Sequence, residues 1–352
     1  MEPFIYLAVS EIIHETRDAI TIKLIPENGQ AINYRPGQFI TLIFNQNGKE
    51  IRRSFSLSSS PGFDSGLFIT MKRMVNGEVS TYIYNHIRVG DVIKALPPAG
   101  RFVLKTQAGN RRDIFLVAAG SGITPVFSIL KDILINETLS RVILIYSNRD
   151  ERSTIFYEAL NILSGKYPSQ FKCIYVFSEP EKKTDAIHAH LNFELLRQLI
   201  DQNLQNNRSE AEFMLCGPFG FMRMAEMIII AMGFNEERVH KENFVVLAEQ
   251  EAINSPPVQE LSDKYVTINY HDEIIDLLIP PGKAILKAAL EKGIYLPYSC
   301  QGGICGTCSA ICSEGKVEMT VNEVLTQKEL DAGWILTCVG YPMTEKVRLK
   351  IE

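Results

Sequence analysis

The chain has 352 residues, more than one hydrophobic core ordinarily serves, so two or three domains are expected. Its 36 basic residues against 41 acidic ones give a formal charge of −5, with no basic tract or aromatic platform, which argues against nucleic-acid binding. The composition, 46% hydrophobic and 22% charged, is that of a globular protein in water. Its most apolar stretch, Met224 to Phe234, is too short for a bilayer and carries Glu226. No basic leader or cleavage site marks MEPFIYLAVSEII, so no membrane association and a cytoplasmic location are expected.

Residues 1–107 are expected to form an antiparallel β-barrel. Short alternating or aromatic-rich runs (AITIKLI, QFITLIF, GLFITMKRM) are separated by Asn-Gly, Pro-Gly and Gly-Asp punctuation. Within this region lies Arg53-Ser54-Phe55-Ser56, continuing into Leu-Ser-Ser-Ser-Pro. Arg53 offers a fork of donors suited to phosphate, Phe55 a flat face and Ser56 a small hydroxyl. On chemistry alone, a polar turn after a strand is the favoured reading. The patch Gly77-Glu78-Val79-Ser80-Thr81 opens a short predicted helix whose first amides could face an anion.

Residues 108–247 change texture to strand–helix alternation, which predicts a parallel sheet with crossover helices. Ile114 to Ala118 is a continuous apolar run suited to a strand buried on both faces, followed by a helix over Val126 to Ile135 and a strand from Arg141 to Tyr146. Between the first strand and helix stands Gly120-Ser121-Gly122-Ile123-Thr124-Pro125. Thr124 suits the N-cap and Pro125 the first helical position, the placement that pyrophosphate binding at a helix N-terminus requires. The loop departs from the dinucleotide fingerprint, with Pro125 where a third glycine would stand. A strand from Glu212 runs into Cys216-Gly217-Pro218, which spacing alone also allows to be an ordinary strand end. His188 and His190 are expected at a solvated helix start rather than on a metal, and Met222, Met224 and Met227 in a core.

Residues 248–262, with charge, two prolines and no periodicity, read as a linker. Residues 263–352 then begin with a hairpin, YVTINY and IIDLLI, turning through His271 and Asp272. A helix over Ala284 to Lys292 is stopped by Gly293. Cys300, Cys305 and Cys308 follow at C-x4-C-x2-C spacing, with Cys338 far behind, the pattern of a plant-type [2Fe–2S] site. One loop wraps three thiolates while the fourth arrives from elsewhere, and Gly302, Gly303 and Gly306 let the backbone fold tightly around the cluster. Paired C-x2-C elements or histidine partners expected of structural zinc are missing, and a disulfide scaffold does not suit seven cysteines in a chain of this length. Cys312, in a predicted strand, and Cys173 are expected as core thiols, and the single Trp334 as a core residue.

Taken together, these motifs resemble the ferredoxin–NADP⁺ reductase superfamily, in its three-domain oxygenase-reductase form with a C-terminal plant-type ferredoxin. The order and wording of the motifs are most similar to the reductases of the phenylacetyl-CoA epoxidase type. The resemblance implies an FAD-binding barrel (FMN being the competitor), an NAD(P)-binding α/β domain and a β-grasp ferredoxin domain. It implies that Arg53, Ser54, Phe55 and Ser56 bind flavin, with Arg53 on the pyrophosphate, and that Gly77, Val79 and Ser80 cradle the diphosphate. Gly120, Gly122, Thr124 and Pro125 would receive the coenzyme pyrophosphate. Cys216 and Gly217 would border the nicotinamide, with Glu242 and Phe244 near the flavin's other face. Ser56, Cys216 and Glu242 are the expected catalytic set. Arg149, with Arg152 nearby, favours NADPH, with NADH possible, although Asp150 and Glu151 oppose a 2′-phosphate. The implied activity passes electrons from NAD(P)H through flavin to the cluster, then to an oxygenase or other acceptor protein docking near it. A redox-sensing flavo-iron–sulfur protein is the alternative.

Overall fold

The computed structural model describes the chain except for residues 1–3, 47, 75–76, 182–185, 245–261, 271–272 and 352. The described part divides into two compact units, Phe4–Glu242 and Asn243 onward. All but the last residue of the expected linker, and the hairpin turn at His271 and Asp272, lie outside the described residues. Among the described residues no helix is long and apolar enough to cross a membrane.

The first unit begins with β1 (Ile5–Thr16), β2 (Ala19–Pro26), β3 (Phe39–Gln46), β4 (Lys49–Ser56), β5 (Leu67–Lys72), α1 (Glu78–His86) and β6 (Val92–Ala99). The strands run in the order β4-β3-β6-β1-β2-β5, and a bridge between Leu57 and Ile69 joins the two ends into a barrel. Alternation in β2 and β3 sends Ile22, Leu24, Ile40 and Leu42 inward, where Val79 and Ile83 of α1 complete the core. Arg53 to Ser56 do not form a turn. They lie within β4, opposite Leu42 to Phe39 of β3.

Next come β7 (Asp113–Ala119), α2 (Ile123–Asn136), β8 (Arg141–Asn148), α3 (Tyr157–Lys166), β9 (Phe171–Phe177), β10 (Ile187–His188), α4 (Phe193–Asn203), β11 (Glu212–Gly217), α5 (Phe219–Ala231) and β12 (Val239–Asn243). The sheet order is β10-β9-β8-β7-β11-β12, with parallel pairing from β10 through β11. Apolar clusters cover both faces, as the unbroken hydrophobic strands require. His188 lies on the short edge strand β10, where Ile187 pairs with Val176 of β9; the helix instead starts at Phe193, capped by Asn192. Met222 is buried in α5, whereas Met227 is 61% exposed, because a thirteen-residue helix on a sheet buries only one stripe.

The second unit comprises β13 (Lys264–Tyr270), β14 (Glu273–Ile279), α6 (Ile285–Glu291), β15 (Ser309–Glu314), β16 (Val317–Met319), α7 (Gln327–Asp331), β17 (Trp334–Leu336), β18 (Gly340–Pro342) and β19 (Lys346–Ile351). A mixed sheet, β14-β13-β19-β15-β17, packs on α6 in a β-grasp arrangement. Gly293 ends α6 at φ +73°, as expected of an αL stop.

An ionic knot ties the parallel sheet to its connections. Arg112 donates through Nε and Nη2 to Glu137 (2.7 and 3.0 Å) and through Nη1 to Glu212 (2.9 Å). Glu137 is fully buried; burial pushes its carboxyl up, but Arg112, Ser140 and Asn110 more than offset this and hold it below its ordinary value. Arg112→Met would leave that carboxylate buried without its main partner. A loss of about 3–5 kcal/mol is expected in urea unfolding followed by circular dichroism.

Candidate functional site

The strand order reverses between β7 and β11, so a crevice opens at their carboxyl ends, where open α/β sheets bind ligands. The GSGITP loop and the Cys216-Gly217-Pro218 turn meet there. A Cβ on Gly122 would lie 2.2 Å from the Cys216 carbonyl oxygen and 2.7 Å from the Gly217 nitrogen, so only glycine lets the two backbones touch. Gly120 adopts φ +55°, with open space where a side chain would be, and its carbonyl accepts a 2.9 Å hydrogen bond from the buried Tyr146 hydroxyl.

Helix α2 starts earlier than the sequence reading placed it. Gly120–Gly122 form a 3₁₀ turn and Gly122, not Thr124, is the N-cap. Thr124 Oγ1 instead donates to the Ser121 carbonyl at 3.0 Å, and Pro125 is the third helical residue. Proline is tolerated there because the first four helix amides have no intrahelical acceptor.

Two buried acids flank this crevice. Burial, then the neighbouring Glu242, push the Cys216 thiol well above its ordinary value. Burial pushes Glu242 up from 4.5 to about 8. Both are therefore neutral around pH 7, and Cys216 is not an activated nucleophile. Phe219 is 49% exposed at the start of α5, and Phe221 packs at the Gly217 turn. Phe244 directly follows β12 and is 40% exposed.

On the barrel, Arg53 is exposed, with Nη1 donating to the Arg52 carbonyl at 2.8 Å. Ser54 shares a 2.9 Å hydrogen bond with Thr41, and Phe55 packs half-buried against the barrel core. Ser56 is 4% exposed, and its hydroxyl is buried without a hydrogen-bond partner among the described residues. Gly77 caps α1, and a Cβ there would lie 2.5 Å from Ser80 Oγ. Val79 points into the core. Ser80 Oγ already donates to the Gly77 carbonyl (3.2 Å) and accepts from the Met74 amide (3.1 Å), so this segment offers a ligand its backbone amides rather than those side chains.

Beyond β8, Arg149 pairs with Glu179 at 2.9 Å and Arg152 with Glu181 at 2.7 Å. Sequence reading missed both glutamates, which follow β9 and reach the arginines only because β8 and β9 are neighbours.

In the second unit, Gln301, Gly303 and Gly306 take positive φ values of 54°, 78° and 68°, curling the chain between Cys300 and Cys308. A Cβ on Gly303 would meet the Val321 carbonyl at 2.7 Å. Thr337 docks the fourth cysteine beside the third, its amide and hydroxyl donating to the Cys308 carbonyl at 3.0 and 3.1 Å. Hydrogen bonds from the Cys305 and Cys338 thiols, helped by the Gly302 and Ile304 amides, hold the Cys300 thiol far below its ordinary value. Cys338 does the same for Cys308. Cys305 and Cys338, as donors, are pushed up. Cys312 lies apart on β15, bonded to the Glu314 carbonyl, and Cys173 on β9, its thiol pushed up by burial to about 12. Trp334 packs beside Cys308 and Leu336.

Comparison with known proteins follows the same division. Residues 7–104 match the oxidoreductase FAD-binding domain, 116–227 the oxidoreductase NAD-binding domain and 270–343 the 2Fe-2S iron-sulfur cluster binding domain. The chain is 35% identical to a component of the 1,2-phenylacetyl-CoA epoxidase of Escherichia coli (strain K12), over 99% of this chain and 97% of that one. It is 36% identical to the ferredoxin reductase component of 3-ketosteroid-9-alpha-monooxygenase of Rhodococcus rhodochrous, over 99% and 96%. The chain belongs to this family of three-domain flavin and iron–sulfur reductases. Phthalate dioxygenase reductase shares the fold at TM-score 0.60 and 22% identity, covering 99% of this chain and 98% of that one. An intact type IV self-sufficient cytochrome P450 monooxygenase does so at TM-score 0.71 and 19% identity, covering 99% and 41%.

As a member of this family the chain is an oxidoreductase whose cofactors are FAD, NAD(P)H and a [2Fe–2S] cluster. Its residues fit them. The orphan Ser56 hydroxyl awaits a polar partner, and the Gly122–Cys216 contact leaves a crevice floored by backbone. Four thiols gather as a [2Fe–2S] cluster requires. Among the described residues no three His, Cys, Asp or Glu converge on one point suited to a single metal ion. Two irons with two protein thiolates each make no such demand.

Glu242 has a consequence for pH. A carboxyl whose folded value is raised contributes stability that is complete below its unfolded value and lost as pH climbs through about 8. Wild-type melting temperature should therefore fall more between about pH 5 and 8 than that of Glu242→Gln. In unfolding free energy the difference in slope should approach at most about 1.4 kcal/mol per pH unit.

Proposed function

We propose that this reductase carries electrons from NAD(P)H through FAD to its [2Fe–2S] cluster and then to an oxygenase of the phenylacetyl-CoA epoxidase type. The convergence of Cys300, Cys305, Cys308 and Cys338, in one chain with the flavin and nucleotide motifs, carries this reading. A nicotinamide gives two electrons as hydride, a cluster takes one at a time, and a flavin exchanges either, so it stands between them. Arg53 is suited to hold the flavin pyrophosphate with the α1 amides around Gly77, Val79 and Ser80, and Ser54 braces β4 through Thr41. Phe55 would cover a flavin face, and Ser56 would supply its unspent hydroxyl to the ring.

Gly120, Gly122, Thr124 and Pro125 shape the amide-lined turn that would receive the coenzyme pyrophosphate, with Arg149 further out along the crevice edge. Cys216 and Gly217 would border the nicotinamide. Neutral Cys216 and Glu242 would exclude water there without adding charge. The assignment of Phe244 to the flavin's other face rests on family resemblance. We place the domain limits at 1–107, 108–247 and 263–352, with 248–262 as a tether and the acceptor docking around the cluster cysteines, in a cytoplasmic protein.

Anaerobic absorbance titration with NADPH and with NADH tests the relay. Flavin and cluster bands should bleach together in wild type. Cys338→Ser should lose the cluster bands while its flavin still bleaches. If the wild-type flavin responds to neither coenzyme, the reading fails. Cleavage near Pro256 should leave dye reduction intact and slow cluster reduction at dilute enzyme, because it removes the tether's effective concentration.

A further inference from the structure

Helix α2 buries a lysine in a sequence, VFSILKDILI, that is mostly apolar, with Ser128 and Asp132 its other polar residues. Lys131 is 2% exposed, and its Nζ lies 2.5 Å from Asp64 Oδ2 and 4.4 Å above the Phe127 ring centroid. The same Asp64 oxygen accepts the Ser60 amide at 2.7 Å. One turn earlier on α2, the fully buried Ser128 donates from Oγ to the Ser59 carbonyl at 2.5 Å. Glu15, on β1, also faces Lys131. Desolvating an ammonium costs several kcal/mol, and an apolar side chain would fill this place without that cost. Stability alone therefore does not account for Lys131.

Position does. Ser59 and Ser60 continue the chain from β4, four residues at most beyond the orphan Ser56 hydroxyl. Helix α2 springs from Gly122, whose backbone touches the Cys216–Gly217 turn. Its rigid span from Ile123 to Lys131 is about 12 Å at 1.5 Å per residue. The two seam contacts thus join the wall of the nucleotide crevice to the flavin strand.

We propose that Lys131, Asp64 and Ser128 form a clamp setting the distance between the nucleotide-binding helix and the flavin-binding strand. Lys131 and Asp64 are then positioning residues for hydride transfer. This rests on the reading given under Proposed function. In that transfer the C4–H bond of the dihydropyridine breaks, and hydrogen and electron pair pass together to the flavin. The coenzyme leaves oxidised, and the flavin is reduced by two electrons.

The test uses full-length holoprotein. In Lys131→Met, stopped-flow flavin reduction should slow at least tenfold, and the long-wavelength charge-transfer absorbance formed with oxidised coenzyme should fall. Coenzyme Kd should change less than threefold, and Lys131→Arg should return the rate to within threefold of wild type. A cofactor-loaded Lys131→Met protein with rate and charge-transfer absorbance within twofold of wild type overturns the clamp. Should that variant fail to fold, Ser128→Ala supplies the same comparison, with a charge-transfer loss supporting the clamp and an unchanged band overturning it. In cofactor-free protein, the Ser60 amide of Asp64→Ala should exchange hydrogen at least tenfold faster; unchanged exchange also overturns it. A wild-type flavin that neither coenzyme reduces overturns the functional reading and the clamp with it, whereas failure of the clamp alone leaves wild-type reduction intact.

Discussion

One backbone contact sets the terms for the nucleotide half of this protein. Gly122 rests on the peptide joining Cys216 to Gly217, closer than any side chain would permit. Because β7 and β11 are neighbours on either side of the strand reversal, the turns at their ends must share a small space. Glycine lets them do so while keeping amides, not side chains, at the crevice floor. A phosphate can then be met by oriented dipoles without a cation competing for it.

The electrostatics around that floor are arranged by burial. Cys216 and Glu242 are kept protonated by the cost of charging them out of water, so neither adds a charge to this side of the crevice. Lys131 is the opposite case. Burial pushes its ammonium down, while Asp64 and Glu15 act against that, and the charge is spent on holding α2 to the barrel. Charged groups farther out, such as Arg149 and Glu179, stand mostly in solvent and bind each other only weakly.

The iron–sulfur unit solves a different problem. Four thiols from distant parts of the chain must be brought to one place, which is unfavourable for an open chain. Positive-φ residues at Gln301, Gly303 and Gly306 curl the loop, and Thr337 brings in the fourth thiol from β17. The β-grasp fold thus positions the loop and the fourth thiol together.

Much of this protein is legible in one dimension. Cysteine spacing, the GSGITP loop after a buried strand, and the apolar runs of β2, β3, β7 and β8 each report a local requirement, which is why they can be read without a fold. What needed the tertiary structure were relations between distant segments. Arg53–Ser56 looks like a turn until β3 pairs with it, and Thr124 looks like an N-cap until a 3₁₀ turn moves the helix start to Gly122. Arg149 and Arg152 look available until β9 brings Glu179 and Glu181 alongside. A lysine in a mostly apolar helix is a visible signal at Lys131, but its partner sits 67 residues away. Residue type and spacing thus determined which cofactors this chain can hold, because ligand chemistry is local. Packing alone decided which groups are neutral, which are paired and how far apart the sites stand, because burial and neighbour identity exist only once the chain has folded.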